Sequence, residues 1–310
     1  VIDQSLAISD AVAADLDQDG DVDVAVLAGG GIQTGWLENV DGGSAFRWHG
    51  IAEDSDASVW DTKIKAFDVD GDGDLDILAS FADGTIRLWR NDDAASDLWT
   101  AEVVAPDFAN VFDFTVGDLD DDGRPDVAGV AARASDSAVR YYTPPATPGQ
   151  SWTETVIDVG QSASFSSIDG YDSPVRDAPD LILMGNGVTR LTRNPDGTWE
   201  TTKLSMRCDD FNEEELDLTD MDNDGDLDIL CADVSDIFVY ENVDGDFGEV
   251  VQHLVADLWD HRNRTGADID GDGYPEVLIA NVGNCMLENP TYYSDEAWPR
   301  YCPPSAGGRQ

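Results

Sequence analysis

A short acidic loop that runs straight into an apolar strand returns along this chain at almost constant spacing. "DLDQDGDVDVAVLAG" begins at Asp15, "DVDGDGDLDILAS" at Asp68, "DLDDDGRPDVAGV" at Asp118, "DMDNDGDLDILCAD" at Asp220 and "DIDGDGYPEVLIAN" at Asp268. Between the third and fifth lies a degraded copy, "IDGYDSPVRDAPDLILMG", read here from Asp169 with three residues inserted before Asp180. The starts are then 53, 50, 51, 51 and 48 residues apart, a regular array of six. A chain built this way folds as six copies of one unit, because no single unit of this length can bury its own apolar face.

Two further signatures travel with the loop. About 20 residues after it comes an apolar or aromatic run, in most copies closed by Asn, as in "GWLENVDGG", "RLWRNDD" and "FVYENVDG". A last run follows, usually opened by Trp: "WHGIAE", "WTAEVV", "WTETVID", "WETTKLS" and "WPRYC". Each repeat therefore holds four short apolar or alternating runs separated by Gly, Asp, Asn and Pro, which predicts a four-stranded antiparallel sheet. No segment sustains a helical period. The predicted fold class is all-β, a six-bladed β-propeller with four-stranded blades. It forms one domain over residues 1–302, with 303–310 as a C-terminal tail. The N-terminal "VIDQSLAISDAVAADLD" matches the internal "VIDVGQSASFSSID", which places residues near Val1 at the edge of the last blade. The terminal "WPRYC" competes for the same place, and the sequence leaves the choice open.

Charge narrows the function. The formal net charge is -48, from 65 acidic residues against 17 basic ones. Such a surface repels nucleic acid and anionic membranes. Hydrophobic residues at 41% suffice for a core, and bound divalent cations together with salt would offset the repulsion. No apolar run of about 18 residues is present, so no membrane-spanning helix is expected. The start carries no basic segment followed by an apolar one, so any signal peptide is expected to have been removed.

Within Asp68–Asp76, side chains at positions 1, 3 and 5 can converge if Gly73 turns the chain sharply. The carbonyl of position 7 and the carboxylate of position 9 complete an all-oxygen shell, which is Ca²⁺ chemistry rather than that of zinc or copper. An exposed acidic turn is the alternative for one copy; five copies in register weigh against it.

The D-x-D-x-D-G-x-x-D loop leading into an apolar strand, on a period of about 50, resembles the FG-GAP/VCBS repeats of integrin α-subunit propellers and related bacterial and fungal propellers. The resemblance implies structural calcium in the loop joining the two innermost strands of each blade. It implies side-chain ligands Asp15, Asp17, Asp19 and Asp23; Asp68, Asp70, Asp72 and Asp76; and Asp118, Asp120, Asp122 and Asp126. The later copies supply Asp220, Asp222, Asp224 and Asp228, then Asp268, Asp270, Asp272 and Glu276. Position 7 would lend the carbonyls of Asp21, Asp74, Arg124, Asp226 and Tyr274. About five Ca²⁺ sites follow; the copy between Asp169 and Asp180, where Tyr171 stands at a ligand position, is either empty or completed by Asp172 and Asp177. Six blades rather than seven, and no literal Phe-Gly…Gly-Ala-Pro, depart from the integrin pattern.

With calcium on one face, a partner is expected on the other, which carries the connections entering each first strand. These contain Trp60, Asp61, Thr62 and Lys63; Phe108–Asp113; Asp210–Glu214; and "LWDHRNR", with Trp259, His261, Arg262 and Arg264. Rings and cations on an anionic body could hold a sugar or an anion. Equally, the rings could pack between blades while the arginines pair with aspartates. Enzyme signatures are thin: three histidines (His49, His253 and His261), no Gly-x-Ser-x-Gly elbow, no HExxH and no phosphate loop. The chain thus reads as a secreted or cell-surface adhesion or recognition module for an extracellular protein or carbohydrate, a monomer or part of a larger protein. A propeller lectin is a variant; a polysaccharide-active lyase or dehydratase is the rival class. Four cysteines could form Cys208–Cys231 and Cys285–Cys302 disulfides.

Overall fold

The computed structural model describes residues 8–28, 32–54, 63–93, 98–108, 111–131, 138–147, 149–159, 165–172, 174, 179–185, 187–206, 208, 216–232, 236–257, 264–269, 272–279, 285–287 and 300–301. These residues form 24 strands and no helix, in six four-stranded antiparallel sheets whose strand order follows the sequence. This is the expected six-bladed β-propeller class.

The chain divides into two compact units, Val1–Ser164 and Phe165–Gln310, with three sheets in each. In the first unit the sheets are β1 (Ile8–Ala14), β2 (Asp23–Ala28), β3 (Ile32–Asn39) and β4 (Phe46–Asp54); β5 (Ile64–Phe67), β6 (Asp76–Ser80), β7 (Ile86–Asp93) and β8 (Leu98–Ala105); and β9 (Val111–Gly117), β10 (Asp126–Ala131), β11 (Ala138–Thr143) and β12 (Thr153–Asp158). The second unit holds β13 (Phe165–Tyr171), β14 (Asp180–Gly185), β15 (Gly187–Arg193) and β16 (Trp199–Lys203). Its other sheets are β17 (Asp217–Thr219), β18 (Asp228–Ala232), β19 (Asp236–Asn242) and β20 (Val250–Asp257), then β21 (Arg264–Ala267), β22 (Glu276–Ile279), β23 (Cys285–Leu287) and β24 (Arg300–Tyr301).

The second strand of each blade shows why its sequence is almost continuously apolar. Successive side chains point to opposite faces of a sheet, and here both faces are covered. On β6, Ile77 and Ala79 pack with Leu16, Leu27 and Trp36 of the preceding blade. Leu78, between them, packs with Phe114, Val127 and Tyr142 of the following blade. On β18, Ile229 and Cys231 join Tyr171, Ile182 and Met184, while Leu230 and Ala232 join Val277 and Ile279. Burying a side chain of this size contributes roughly 1.5–3 kcal/mol.

Strand pairing corrects the reading of the fourth repeat. Ala14 pairs with Asp23, Phe67 with Asp76, Gly117 with Asp126, Thr219 with Asp228 and Ala267 with Glu276, nine residues apart in each case. Tyr171 pairs with Asp180 at the same separation. Asp169 lies inside β13 opposite Ile182, so this loop begins at Asp172 and contains no insertion. Position 3 is then Pro174, and position 5 is Arg176. Similarity at the Asp169-Gly170 dipeptide points three residues too early, because hydrogen-bond register is not visible in residue order.

At the end of the chain, Met286 pairs with Tyr301 and Leu287 with Arg300, so the C-terminal segment supplies the fourth strand of the last sheet. Residues 1–7, the rival segment, lie outside the described residues. Cys208, in the connection between β16 and β17, is disulfide-bonded to Cys231 on β18 across a Cα–Cα distance of 5.8 Å. The side chains of Cys285 and Cys302 are outside the described residues.

Candidate metal centres and the opposite rim

Every acidic loop joins the first and second strands of its blade and is shaped by its own hydrogen bonds. The position-1 carboxylate accepts the N–H of the position-6 glycine: Gly20 to Asp15 at 3.1 Å, Gly73 to Asp68 at 3.0 Å, Gly123 to Asp118 at 2.8 Å, Gly225 to Asp220 and Gly273 to Asp268 at 3.0 Å. The position-5 carboxylate accepts the N–H of position 7, as Asp74 donates to Asp72 at 2.9 Å. These glycines have φ between +82° and +100°, a region open to glycine without a Cβ clash. Position 4 is left-handed as well, at Gln18, Gly71, Asp121 and Asn223, a second turn point that the sequence reading did not identify.

Position 9 works differently. It opens the second strand, is buried, and binds the loop's first turn to the neighbouring strand. Asp76 accepts the N–H of Val69 at 2.9 Å and that of Asn91 at 2.8 Å. Asp23 does the same with Leu16 and Asn39, and Asp228 with Met221 and Asn242. Leu16, Val69, Leu119 and Met221, all at position 2, are themselves buried. The alternation of Asp with apolar residues thus sends carboxylates to one side and a core plug to the other. The Asn closing the third strand was visible in sequence, but its work was not. Asn91 Nδ2 reaches back 3.0 Å to the Leu16 carbonyl of the previous blade, and Asn242 Nδ2 donates to the Tyr171 hydroxyl at 2.8 Å.

The result is convergence of like charge. Ligand oxygens of Asp15, Asp17 and Asp19 lie within 4.8 Å of one another, as do those of Asp68, Asp70 and Asp76, of Asp118, Asp120 and Asp122, and of Asp220, Asp222 and Asp228. In the sixth loop Asp268, Asp272 and Glu276 are described and Asp270 is not. Burial pushes Asp76 up to about 7. Burial and the nearby Asp120 push Asp126 up to about 7. Burial and Asp224 push Asp222 up to about 6 and Asp226 up to about 7. Oδ1 of Asp15 and Oδ1 of Asp222 are buried and accept no hydrogen bond. Clustered hard oxygens, some with no donor, fit Ca²⁺, which takes six to eight such ligands in adaptable geometry.

Of the opposite rim, part is described. Two hydrogen bonds join Lys63 to Ser80: Ser80 N–H donates to the Lys63 carbonyl at 2.9 Å, and Lys63 N–H donates to the Ser80 hydroxyl oxygen at 3.0 Å. Its ammonium lies close enough to Asp10 to offset part of the burial that raises that carboxyl. Phe108 and Val111 are buried in the core, and Asp113 is buried beside them; those members of the Phe108–Asp113 connection serve packing. Trp60, Trp259, His261 and Arg262 lie outside the described residues, as does the side chain of Arg264, whose backbone opens β21. The other two histidines face carboxylates: His49 Nε2 is 2.6 Å from Glu38 and His253 Nε2 is 2.7 Å from Glu241.

The sheets and their repeated loops define a β-propeller, and parts of it are similar to FG-GAP-like repeats. The model of the FG-GAP-like repeat matches residues 68–129 and 220–279, two spans that each run from one acidic loop into the next. Many solved structures share the fold. A triple arginine-to-alanine mutant of AofleA from Arthrobotrys oligospora superposes with a TM-score of 0.59 at 11% identity, covering 96% of this chain and 87% of that one. The fucose-specific lectin from Aleuria aurantia gives 0.55 at 11% identity, covering 97% of this chain and 98% of that one. No match to the sequence was found among curated proteins.

Proposed function

We propose that this chain is a calcium-stabilised extracellular propeller that serves as an adhesion or recognition module, with carbohydrate as the favoured ligand class. The calcium part rests on one observation: the same convergence of carboxylates recurs in four loops. In those loops positions 1, 3, 5 and 9 would hold the ion, which would supply the charge that lets buried carboxylates stay ionised at neutral pH. Its role is structural, since the ion would bind where the first two strands of a blade meet. The recognition part is supported by the connections that lie at the other end of each first strand, and by a fold shared with a fucose-specific lectin. The buried Cys208–Cys231 disulfide suits an oxidising, extracellular setting. We take residues 1–302 as one functional domain acting as a monomer or as a module of a larger protein.

Thermal melting in calcium and in EDTA, beside a glycan array run in calcium, tests both parts. Saturating calcium should raise the melting temperature, each site adding about 2.7 kcal/mol at a hundred times its Kd. An unchanged melting temperature would sink structural calcium. A silent array combined with turnover of a polysaccharide would replace the recognition module by an enzyme.

A further inference from the structure

The fourth repeat keeps the fold of its neighbours but has Pro174 and Arg176 where their loops carry acids at positions 3 and 5. In the other sheets the third-strand residue opposite the third residue of strand two is apolar or aromatic: Trp36, Leu88, Tyr141, Val239 and Met286. In the fourth sheet that partner of Ile182 is Arg190. An arginine in such a slot is buried, at 5% exposure, and must find anions. It finds two. Nε donates to Asp180 Oδ2 at 2.8 Å and Nη2 donates to the same oxygen. Nη1 donates to the Asp246 carbonyl and Nη2 to Asp246 Oδ1, both at 2.5 Å. Asp180 is this blade's position 9, and Asp246 belongs to the turn between β19 and β20 of the next blade.

We infer that Arg190 is the resident cation of the fourth repeat, clasping its position-9 carboxylate to the following blade, so that this junction holds without calcium. The surroundings are built to match. Pro174, at position 3 of the loop where a ligand stands elsewhere, packs against the β19–β20 turn so closely that a Cβ on Gly245 would come within 2.7 Å of it. Tyr171 donates its hydroxyl to the Gly245 carbonyl at 2.8 Å, and its ring lies 4.8 Å from that of Phe247. Asp246 is itself held in the turn by donating its N–H to Asp244 Oδ1 at 3.1 Å. A fixed guanidinium and two carboxylates thus take the place of a metal and its ring of oxygens. The inference stands on this clasp and not on the calcium proposal.

Two measurements test it. Hydrogen exchange of the intact chain in EDTA should leave peptides covering β14 and β15 as protected as in calcium. Peptides across the loops at Asp68 and Asp118 should lose protection roughly tenfold or more. If the junction opens along with those loops, the inference is overturned; if none of the loops responds, the calcium proposal fails instead. The second measurement compares Arg190→Met with Arg190→Met combined with Asp180→Asn and Asp246→Asn, both in calcium. The single change strands buried carboxylates and should lower the melting temperature by about 10 °C, or prevent folding. The triple change removes the stranded charge and should recover at least half of the loss, or restore a folded chain. A single variant as stable as the parent, or a triple variant no better than the single one, would overturn it.

Discussion

The backbone N–H of Asn91 donates to Oδ1 of Asp76 at 2.8 Å. This one bond fastens the third strand of a blade to the last residue of its acidic loop. The same bond is made by Asn39 to Asp23 and by Asn242 to Asp228. Any residue with an N–H could make this bond; the recurrence of Asn in these runs follows instead from its side chain, whose Nδ2 reaches the Val22 carbonyl from Asn39, the Leu16 carbonyl from Asn91 and the Tyr171 hydroxyl from Asn242.

The backbone bond survives any substitution but proline, so the side chain can be tested apart from it. Asn91→Ala removes the 3.0 Å bond to the Leu16 carbonyl and leaves that acceptor buried. The expected loss is about 1–2 kcal/mol. Asn242→Ala removes bonds to the Tyr171 hydroxyl, the Leu227 carbonyl and the Phe247 N–H. The expected loss there is about 3 kcal/mol. Urea melts of the two variants should rank in that order, and equal or reversed losses would contradict the bonding scheme.

In the third blade the fastening is missing. Pro144 stands two residues after Tyr142, the partner of Val127, just where Asn91 stands two after Trp89, the partner of Ile77. Proline has no N–H, and Asp126 Oδ1 is buried without a donor. Pro144→Asn should therefore stabilise the chain by about 1 kcal/mol, the gain from satisfying the oxygen exceeding the entropy advantage of proline. A rise in urea midpoint at unchanged slope is the expected result; a fall would show that Asp126 does not need the donor.

Calcium-free stability should depend on pH with a definite sign. Burial holds Asp76, Asp126 and Asp226 up at about 7 and Asp222 at about 6 in the folded chain, against 3.8 for an ordinary Asp. Between about pH 4 and pH 7 the native state thus holds more protons than the unfolded one. The contribution of these groups is complete below pH 4 and is lost as pH rises through 7. Melting temperature in EDTA should fall across that window. In calcium it should hold or rise, because the ion binds the ionised form. A calcium-free melting temperature that climbs from pH 4 to pH 7 would refute the assignment.

Salt offers an independent check on the charge argument. With a net charge of -48, self-repulsion weakens as the Debye length shortens from about 10 Å at 0.1 M to about 3 Å at 1 M. Melting temperature in EDTA should climb with NaCl over that range, and less steeply once calcium is bound. A flat response in EDTA would mean that the acidic groups are too far apart to repel.

Legibility followed the range of the interactions. The acidic loops, their glycines at position 6 and the apolar strands after them are local, so the repeat, the blade count and five acidic loops can be read from residue order; four of those five bring carboxylates together among the described residues. Position 4 escaped notice because Gln18, Asp121 and Asn223 adopt left-handed backbone without being glycine. The fourth loop was misplaced because its true start depends on the pairing of Tyr171 with Asp180 across a hairpin.

Period, alternation and carboxylate spacing are properties of neighbours in the chain, so residue order specifies an all-β array of six four-stranded units and the chemistry of the acidic loops. Which Asn ties one blade to another, and that Arg190 meets Asp180 and Asp246, depends on the folded arrangement. Those contacts join residues 10 to 75 positions apart, and at such distances partners are chosen by packing and burial, which residue order alone does not specify.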